Sequence, residues 1–370
     1  MIKILFFIDT TLSSGGAEKV LRDLVNNMDQ TRFQITVCTL WPEDANRYLV
    51  PGIRYKSIFR RKTRWNKLWF RVESALGLTY QLHLKDDYDI EVAYLECGST
   101  KVIAQSDNKK AVKLTWVHCD LTKISSDPKA FAQKAKAWYD RFDKVVCVSK
   151  HTLQQYQEMF GDGTDAVVVR NTVDDAAIRT KAEERIPGGI KKTRQSFVTV
   201  GRMYKQKGYD RLLEAHLRLI QEGNDHDLWI LGEGPERKQL EQFIEKNGLQ
   251  DSVHLYGFQS NPYPFMVAAD AVVCSSYYEG FSTMVTEALI LGKPVVTTPC
   301  SGMDELLGDN EFGLITEDST EGIYQGMKKL LDDPQLRAHY AQAAAIRGKA
   351  FSKEKLVRET EQFFMVLLRK

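Results

Sequence analysis

The chain is predicted to be an α/β protein built on two doubly wound parallel sheets, and three observations lead there. Short apolar, β-branched runs alternate with helical stretches along its whole length, the pattern of parallel strands joined by helical crossovers. A polar segment at 171–195, carrying Pro187, Gly188 and Gly189, interrupts that alternation near the middle and reads as a linker. The stretch at 271–298, AVVCSSYYEGFSTMVTEALILGKPVVTT, reads as a complete strand, loop, helix and strand in succession.

In the first half, strands are expected at 3–8, 34–40, 90–95, 114–118, 144–148 and 166–169, with helices between them, for example at 16–27 and 128–141. In the second half, strands are expected at 196–200, 228–231, 253–256, 271–275, 294–298 and near 313–315. Two Rossmann-like domains follow, 1–175 and 176–352, with the ligand expected between them. A last helix at about 353–370 has apolar residues on a helical period and is expected to pack back on the first domain.

A length of 370 residues has room for two cores, and the hydrophobic and charged fractions, 43% and 27%, are those of a globular protein. No apolar run approaches the roughly 20 residues that span a bilayer. The start, MIKILFFIDTT, reads as a first buried strand and not as a signal peptide. The six cysteines are scattered singly without a CxxC, so a reducing, cytoplasmic setting is expected and a zinc site is not. Net charge is +2, unevenly spread: residues 1–170 hold 26 Lys and Arg against 20 Asp and Glu. A basic first half suits an anionic partner, but no nucleic-acid module accompanies it, and nucleic acid is not an expected ligand.

In open parallel sheets ligands bind beyond the carboxyl ends of the strands, so residues there are the candidates. Glu279 and Gly280 lie in the loop after the strand at 271–275, with Phe281, and Ser282 and Thr283 open the next helix with Ser282 as N-cap. Free amides at a helix start suit a phosphate, and Glu287 lies about one and a half turns further on. Two carboxylates beside an anion site suit a phosphorylated, polyhydroxylated ligand such as a nucleotide sugar. Gly201 and Arg202 end the strand at 196–200, and Lys207 follows five residues after Arg202; such cations grip phosphates. Gly232 and Phe258 also close strands, His118 ends the strand at 114–118, and Gly15 and Gly16 open the first helix after a loop from Thr10. Two Asp-x-Asp triplets, Asp87–Asp89 and Asp225–Asp227, precede their strands and read as strand-entry loops, so no metal is expected.

One segment points to a membrane surface. Arg60, Arg61, Lys62, Arg64, Lys67 and Arg71 lie in a run without an acidic residue, and Trp65, Leu68, Trp69 and Val72 form an i, i+3, i+4, i+7 stripe. A basic amphipathic helix with tryptophans fits an anionic bilayer; the alternative is a helix whose tryptophans are core.

Taken together these residues resemble the retaining glycosyltransferases of family 4, of the two-domain GT-B fold. The most specific part is EGFSTMVTEALILGKPVVTT, similar to the family's two glutamates separated by seven residues, and SGGAEKV, VVCVSK, NTVD, VGRMYKQKGYDRLLEA and LGEGPE support it in order. NTVD departs from the family, which usually has glycine after the asparagine. The resemblance implies that Arg202 and Lys207 grip the donor diphosphate, Glu279 the transferred sugar, Phe281–Thr283 its phosphate and Glu287 the nucleotide ribose. Gly16 and its neighbours would face the diphosphate and the acceptor, with His118 beside the reacting sugar. It implies transfer from a nucleotide donor, UDP-linked, to a lipid-linked or growing glycan such as a bacterial capsule or exopolysaccharide, without metal or other cofactor, at the inner face of the plasma membrane. Alternatives are a soluble-sugar or protein acceptor, a nucleotide-sugar epimerase of the same fold, or a non-catalytic subunit.

Overall fold

The computed structural model describes residues 1–13, 15–161, 165–190 and 192–369. It divides into two compact units, Met1–Val173 with Lys353–Lys370, and Asp174–Ser352. Each is a parallel sheet flanked by helices.

The strands of the first unit are β1 (Ile2–Ile8), β2 (Phe33–Thr39), β3 (Arg54–Ser57), β4 (Ile90–Ala93), β5 (Val112–Val117), β6 (Lys144–Cys147) and β7 (Ala166–Val168). They lie side by side in the order β3-β2-β1-β4-β5-β6-β7, every pairing parallel. Ile4 to Ile8 of β1 are wholly buried, because helices cover both faces of a central parallel strand and an unbroken apolar run is the sequence that tolerates this. The terminal helix, Lys353–Leu367, closes one face: the Phe364 ring meets Phe6, Phe33 and Trp116 at 6.1, 6.5 and 6.1 Å.

The second unit contributes β8 (Ser196–Val200), β9 (Asp227–Leu231), β10 (Val253–Gly257), β11 (Ala271–Cys274), β12 (Val295–Thr297) and β13 (Leu314–Ile315). Their order is β10-β9-β8-β11-β12-β13, again all parallel. Chain order reverses between β1 and β4 in one sheet and between β8 and β11 in the other. Those switch points are where the loops above neighbouring strands part and leave a crevice.

The expected strands are all present, with ends moved by a residue or two, and His118 stands just outside β5. Among the elements not anticipated is the helix Asp175–Ala182, inside the segment read as a linker. β3, RYKS, is an exposed edge strand held from one side, so it lacks the apolar run that marks central strands. Tyr80–Leu84 forms a single π-helical turn, which no periodicity announces.

Candidate functional site

In the second unit, β8 and β11 deliver two loops to the switch point, and these loops are bonded along their length. Tyr277 N–H donates to the Gln206 carbonyl at 2.8 Å, the Gln206 amide to the Tyr278 carbonyl at 2.9 Å, and the Ser275 hydroxyl to the Lys207 carbonyl at 2.8 Å. Gly208 has φ of 60°, and a Cβ there would meet the Ser275 carbonyl oxygen at 2.1 Å, so only glycine permits the approach.

This brings Lys207 Nζ to 2.6 Å from Oε1 of Glu279. Burial alone would lower the Lys207 pKa, but the Glu279 carboxylate outweighs it and the ammonium is held above its ordinary range. Glu279 is only 8% exposed and also accepts from the Ser276 hydroxyl at 2.6 Å, so it is not a solvated loop residue. Glu287 is 6% exposed on the helix Thr283–Ile290 and accepts from the Tyr263 hydroxyl at 3.1 Å. Ser282 caps that helix, its hydroxyl accepting from Val285 N–H, with Gly280 and Phe281 buried just before it. Arg202 differs from Lys207: it is exposed, lies over the Tyr204 ring at 5.2 Å, and makes no ion pair among the described residues.

Gly201 and Gly232 serve backbone packing. Gly201 N–H donates to the Leu231 carbonyl at 2.9 Å, and a Cβ on Gly232, whose φ is 144°, would sit 1.9 Å from the Gly201 oxygen. Phe258, just after β10, is 70% exposed.

His118, Gly15 and Gly16 belong to the first unit. Gly16 begins the helix Gly16–Val25 with Gly15 at its N-cap, and the loop before them is tied to Glu43 through Leu12 N–H and the Ser13 hydroxyl; Ser14 lies outside the described residues. The His118 ring packs on Tyr94 at 4.9 Å, the His118 backbone N–H donates to the Glu96 carboxylate at 3.1 Å, and the ring Nε2 has no partner among the described residues. Burial lowers its pKa, with Glu96 and Glu18 opposing, so the ring is neutral at pH 7. Both Asp-x-Asp triplets are engaged by cations: Asp87 pairs with Lys3 at 2.9 Å, and Asp225 and Asp227 both bind Arg194. Among the described residues no three His, Cys, Asp or Glu side chains are grouped to hold a metal.

Comparison with known proteins identifies the family and the fold. The glycosyl transferases group 1 family matches residues 180–347, and the Glycosyltransferase Family 4 domain matches 14–177. The chain is 34% identical to the N-acetylgalactosamine-N,N'-diacetylbacillosaminyl-diphospho-undecaprenol 4-alpha-N-acetylgalactosaminyltransferase of Campylobacter jejuni, over 96% of this chain and 97% of that one. The chain belongs to the family 4 glycosyltransferases. Among solved structures, the transferase resembles the sucrose-phosphate synthase of Thermosynechococcus elongatus (TM-score 0.82, 16% identity, 100% of both chains). It also resembles Anabaena HepE in complex with UDP (TM-score 0.75, 19% identity, 99% of this chain and 100% of that one). These likenesses place it in the GT-B fold.

The helix Arg64–Leu76 of the transferase is capped by Thr63, whose hydroxyl accepts from Asn66 N–H, and stopped by Gly77 at φ 73°. Its inward side is Phe70, Glu73 and Ser74, with Phe70 against the Trp41 and Phe59 cluster and Glu73 bonded to His83 at 3.0 Å. Trp65, 80% exposed, and Leu68, Trp69 and Val72 face outward, so the reading of these tryptophans as core is overturned. Arg60, Arg61, Arg64 and Lys67 are exposed and make no ion pair among the described residues.

Sequence reading passed over Asp9, just beyond β1, and Glu96, just beyond β4. Burial pushes the Asp9 pKa up to about 6, with the Ser99 hydroxyl opposing, and Glu96 anchors His118 and the Cys119 thiol. Their position after a strand was the available signal.

Proposed function

We propose that the transferase moves a sugar from a UDP donor, with retention at the anomeric carbon and without a metal ion, to a glycan carried on a lipid diphosphate. The observation that carries this reading is the Lys207–Glu279 pair at the switch point between β8 and β11, with the unpaired Arg202 cation on the same loop as Lys207. Arg202 and Lys207 would take the diphosphate, the amides from Phe281 to Thr283 its sugar-side phosphate, Glu279 the sugar hydroxyls and Glu287 the ribose. The bond between the anomeric carbon and the phosphate oxygen breaks as charge develops on that oxygen, and fixed cations and helix amides stabilise it there. The acceptor hydroxyl attacks the same face, and its proton passes to the departing phosphate. One feature supports the acceptor class: the Campylobacter relative acts on a diphospho-undecaprenol glycan. The same relative makes N-acetylgalactosamine the first donor sugar to test.

Calorimetry with UDP, GDP and ADP, with and without EDTA, tests the site. UDP is expected to bind in EDTA as well as without it, and Glu287→Ala to weaken it by roughly tenfold or more, the loss of hydrogen bonds to a charged acceptor. Absence of nucleotide binding in every condition would sink the reading.

Membrane attachment through the helix Arg64–Leu76 belongs to the same proposal. Exposed tryptophans insert at the headgroup level, and each cation near an anionic surface adds about 1 kcal/mol. Sedimentation with phosphatidylglycerol vesicles is expected, with most of the bound fraction lost in the triple variant Arg60→Gln, Arg61→Gln, Arg64→Gln. Equal pelleting of both proteins would argue against it. No helix among the described residues is long and apolar enough to cross a membrane.

A further inference from the structure

The Glu279 carboxylate is asymmetrically held. Its Oε1 receives two short bonds, from Lys207 Nζ and from the Ser276 hydroxyl, both 2.6 Å, while Oε2 accepts no hydrogen bond from the described residues. Ser276 is buried, and its backbone is fixed without help from its hydroxyl. Its carbonyl accepts from Arg211 Nη2 at 2.6 Å, the Thr298 hydroxyl at 2.7 Å and the Cys300 thiol at 2.8 Å. Arg211 is itself buried, bonded through Nε to the Ser275 carbonyl at 2.8 Å and through Nη1 to Asp318 at 2.6 Å, with Tyr277 stacked on its guanidinium at 4.1 Å. Arg211 thus holds the loop, and the Ser276 hydroxyl is left to donate its proton to Glu279.

We infer that Ser276 is a positioning residue for the donor sugar, holding Oε1 of Glu279 so that Oε2 faces the sugar. The inference rests on the proposed function. There, Lys207 turns to the diphosphate and gives up Glu279, and the Ser276 hydroxyl is then the remaining donor on Oε1. A carboxylate left with no donor would swing and lose its aim. A hydroxyl bond that survives ligand binding keeps the group oriented when the sugar arrives. The three donors on the Ser276 carbonyl explain why the hydroxyl can be removed without releasing the loop.

The test uses the full chain with UDP as probe. Ser276→Ala is expected to bind UDP as the parent does, since UDP lacks the sugar, and to turn over the sugar donor roughly tenfold less efficiently. Ser276→Thr, which keeps the hydroxyl, is expected to recover activity. In a Glu279→Gln background Ser276→Ala is expected to cost nothing further, because a residue acting through another is not additive with it. Crystal structures of the UDP complexes are expected to show Lys207 on the diphosphate with Glu279 in place in the parent, and a displaced carboxylate in Ser276→Ala. Four results would overturn the inference: parental efficiency in Ser276→Ala, an unmoved carboxylate in its UDP complex, a further loss in the Glu279→Gln background, or UDP weakened as much as the sugar donor. A parent chain that does not bind UDP would instead remove the proposed function, and this inference with it.

Discussion

Arg202→Ala is expected to lower turnover by roughly 100- to 1,000-fold at saturating donor, the usual cost of deleting one fixed group that stabilises charge on a leaving oxygen. The same change should leave thermal stability untouched, because Arg202 is exposed and makes no ion pair among the described residues. Lys207→Ala should lose activity on the same scale, and here stability should fall too. Removing the ammonium leaves Glu279, 8% exposed, with the Ser276 hydroxyl as its remaining partner, and breaking one side of a buried pair is more costly than never having built it. Each kcal/mol lost should appear as a drop of about 2–4 °C in Tm for a domain of this size. Steady-state rates and calorimetric melts on the two variants separate these effects. Near-parental turnover in both would remove the two cations from the chemistry.

Acid should destabilise the second unit through a buried histidine pair. His216 and His226 are fully buried and joined at 2.9 Å between Nδ1 of one and Nε2 of the other; His216 Nε2 bonds the Ser252 hydroxyl, and His226 Nδ1 the Asn224 carbonyl. Burial drives His216 down to about 2, helped by His226, Arg194 and His254. Burial also lowers His226, opposed by the Asn224 carbonyl, Asp227 and Asp225. His216 therefore stays neutral in the folded unit and His226 takes up its proton at lower pH than it would unfolded, whereas the unfolded chain protonates both below about pH 6.5. Below that pH the unfolded state binds more protons, so stability falls as pH falls, by about 1.4 kcal/mol per pH unit for each proton refused. Above pH 7 the effect is absent. Asp9 acts with the opposite sign in the first unit: its raised pKa makes the folded state the better proton acceptor between about 4 and 6. Hydrogen exchange at β9 and the helix Tyr209–Gln221, followed from pH 7.5 to 5, should show this loss, and His216→Gln should flatten it. A slope unchanged in that variant would place the acid sensitivity elsewhere.

How much could be read in advance varied with the kind of signal. Strands such as β1 and β8 are buried on both faces, and their unbroken apolar runs announce them; β3 is half exposed and charged, and did not. The outward face of the helix Arg64–Leu76 was legible as a stripe, but the same stripe suits a core helix. Only the packing of Phe70, Glu73 and Ser74 beneath it decided which side faces out. Asp9 was missed because a single carboxylate after a strand has no pattern. The buried histidine pair escaped notice because its members are ten residues apart, one on the helix Tyr209–Gln221 and the other in the loop just before β9.

The sequence by itself determined the alternation of strands and helices, the α/β class and the family, since periodicity, turn residues and ordered motifs are local and survive in one dimension. It also put Arg202, Lys207, Glu279 and Glu287 beyond or beside strand ends. Tertiary structure alone decided that Lys207 spends its charge on Glu279, that Ser276 shares that carboxylate, and that Arg202 does neither. Those outcomes depend on distances between loops separated by about seventy residues, and such distances arise only when the sheet sets β8 beside β11.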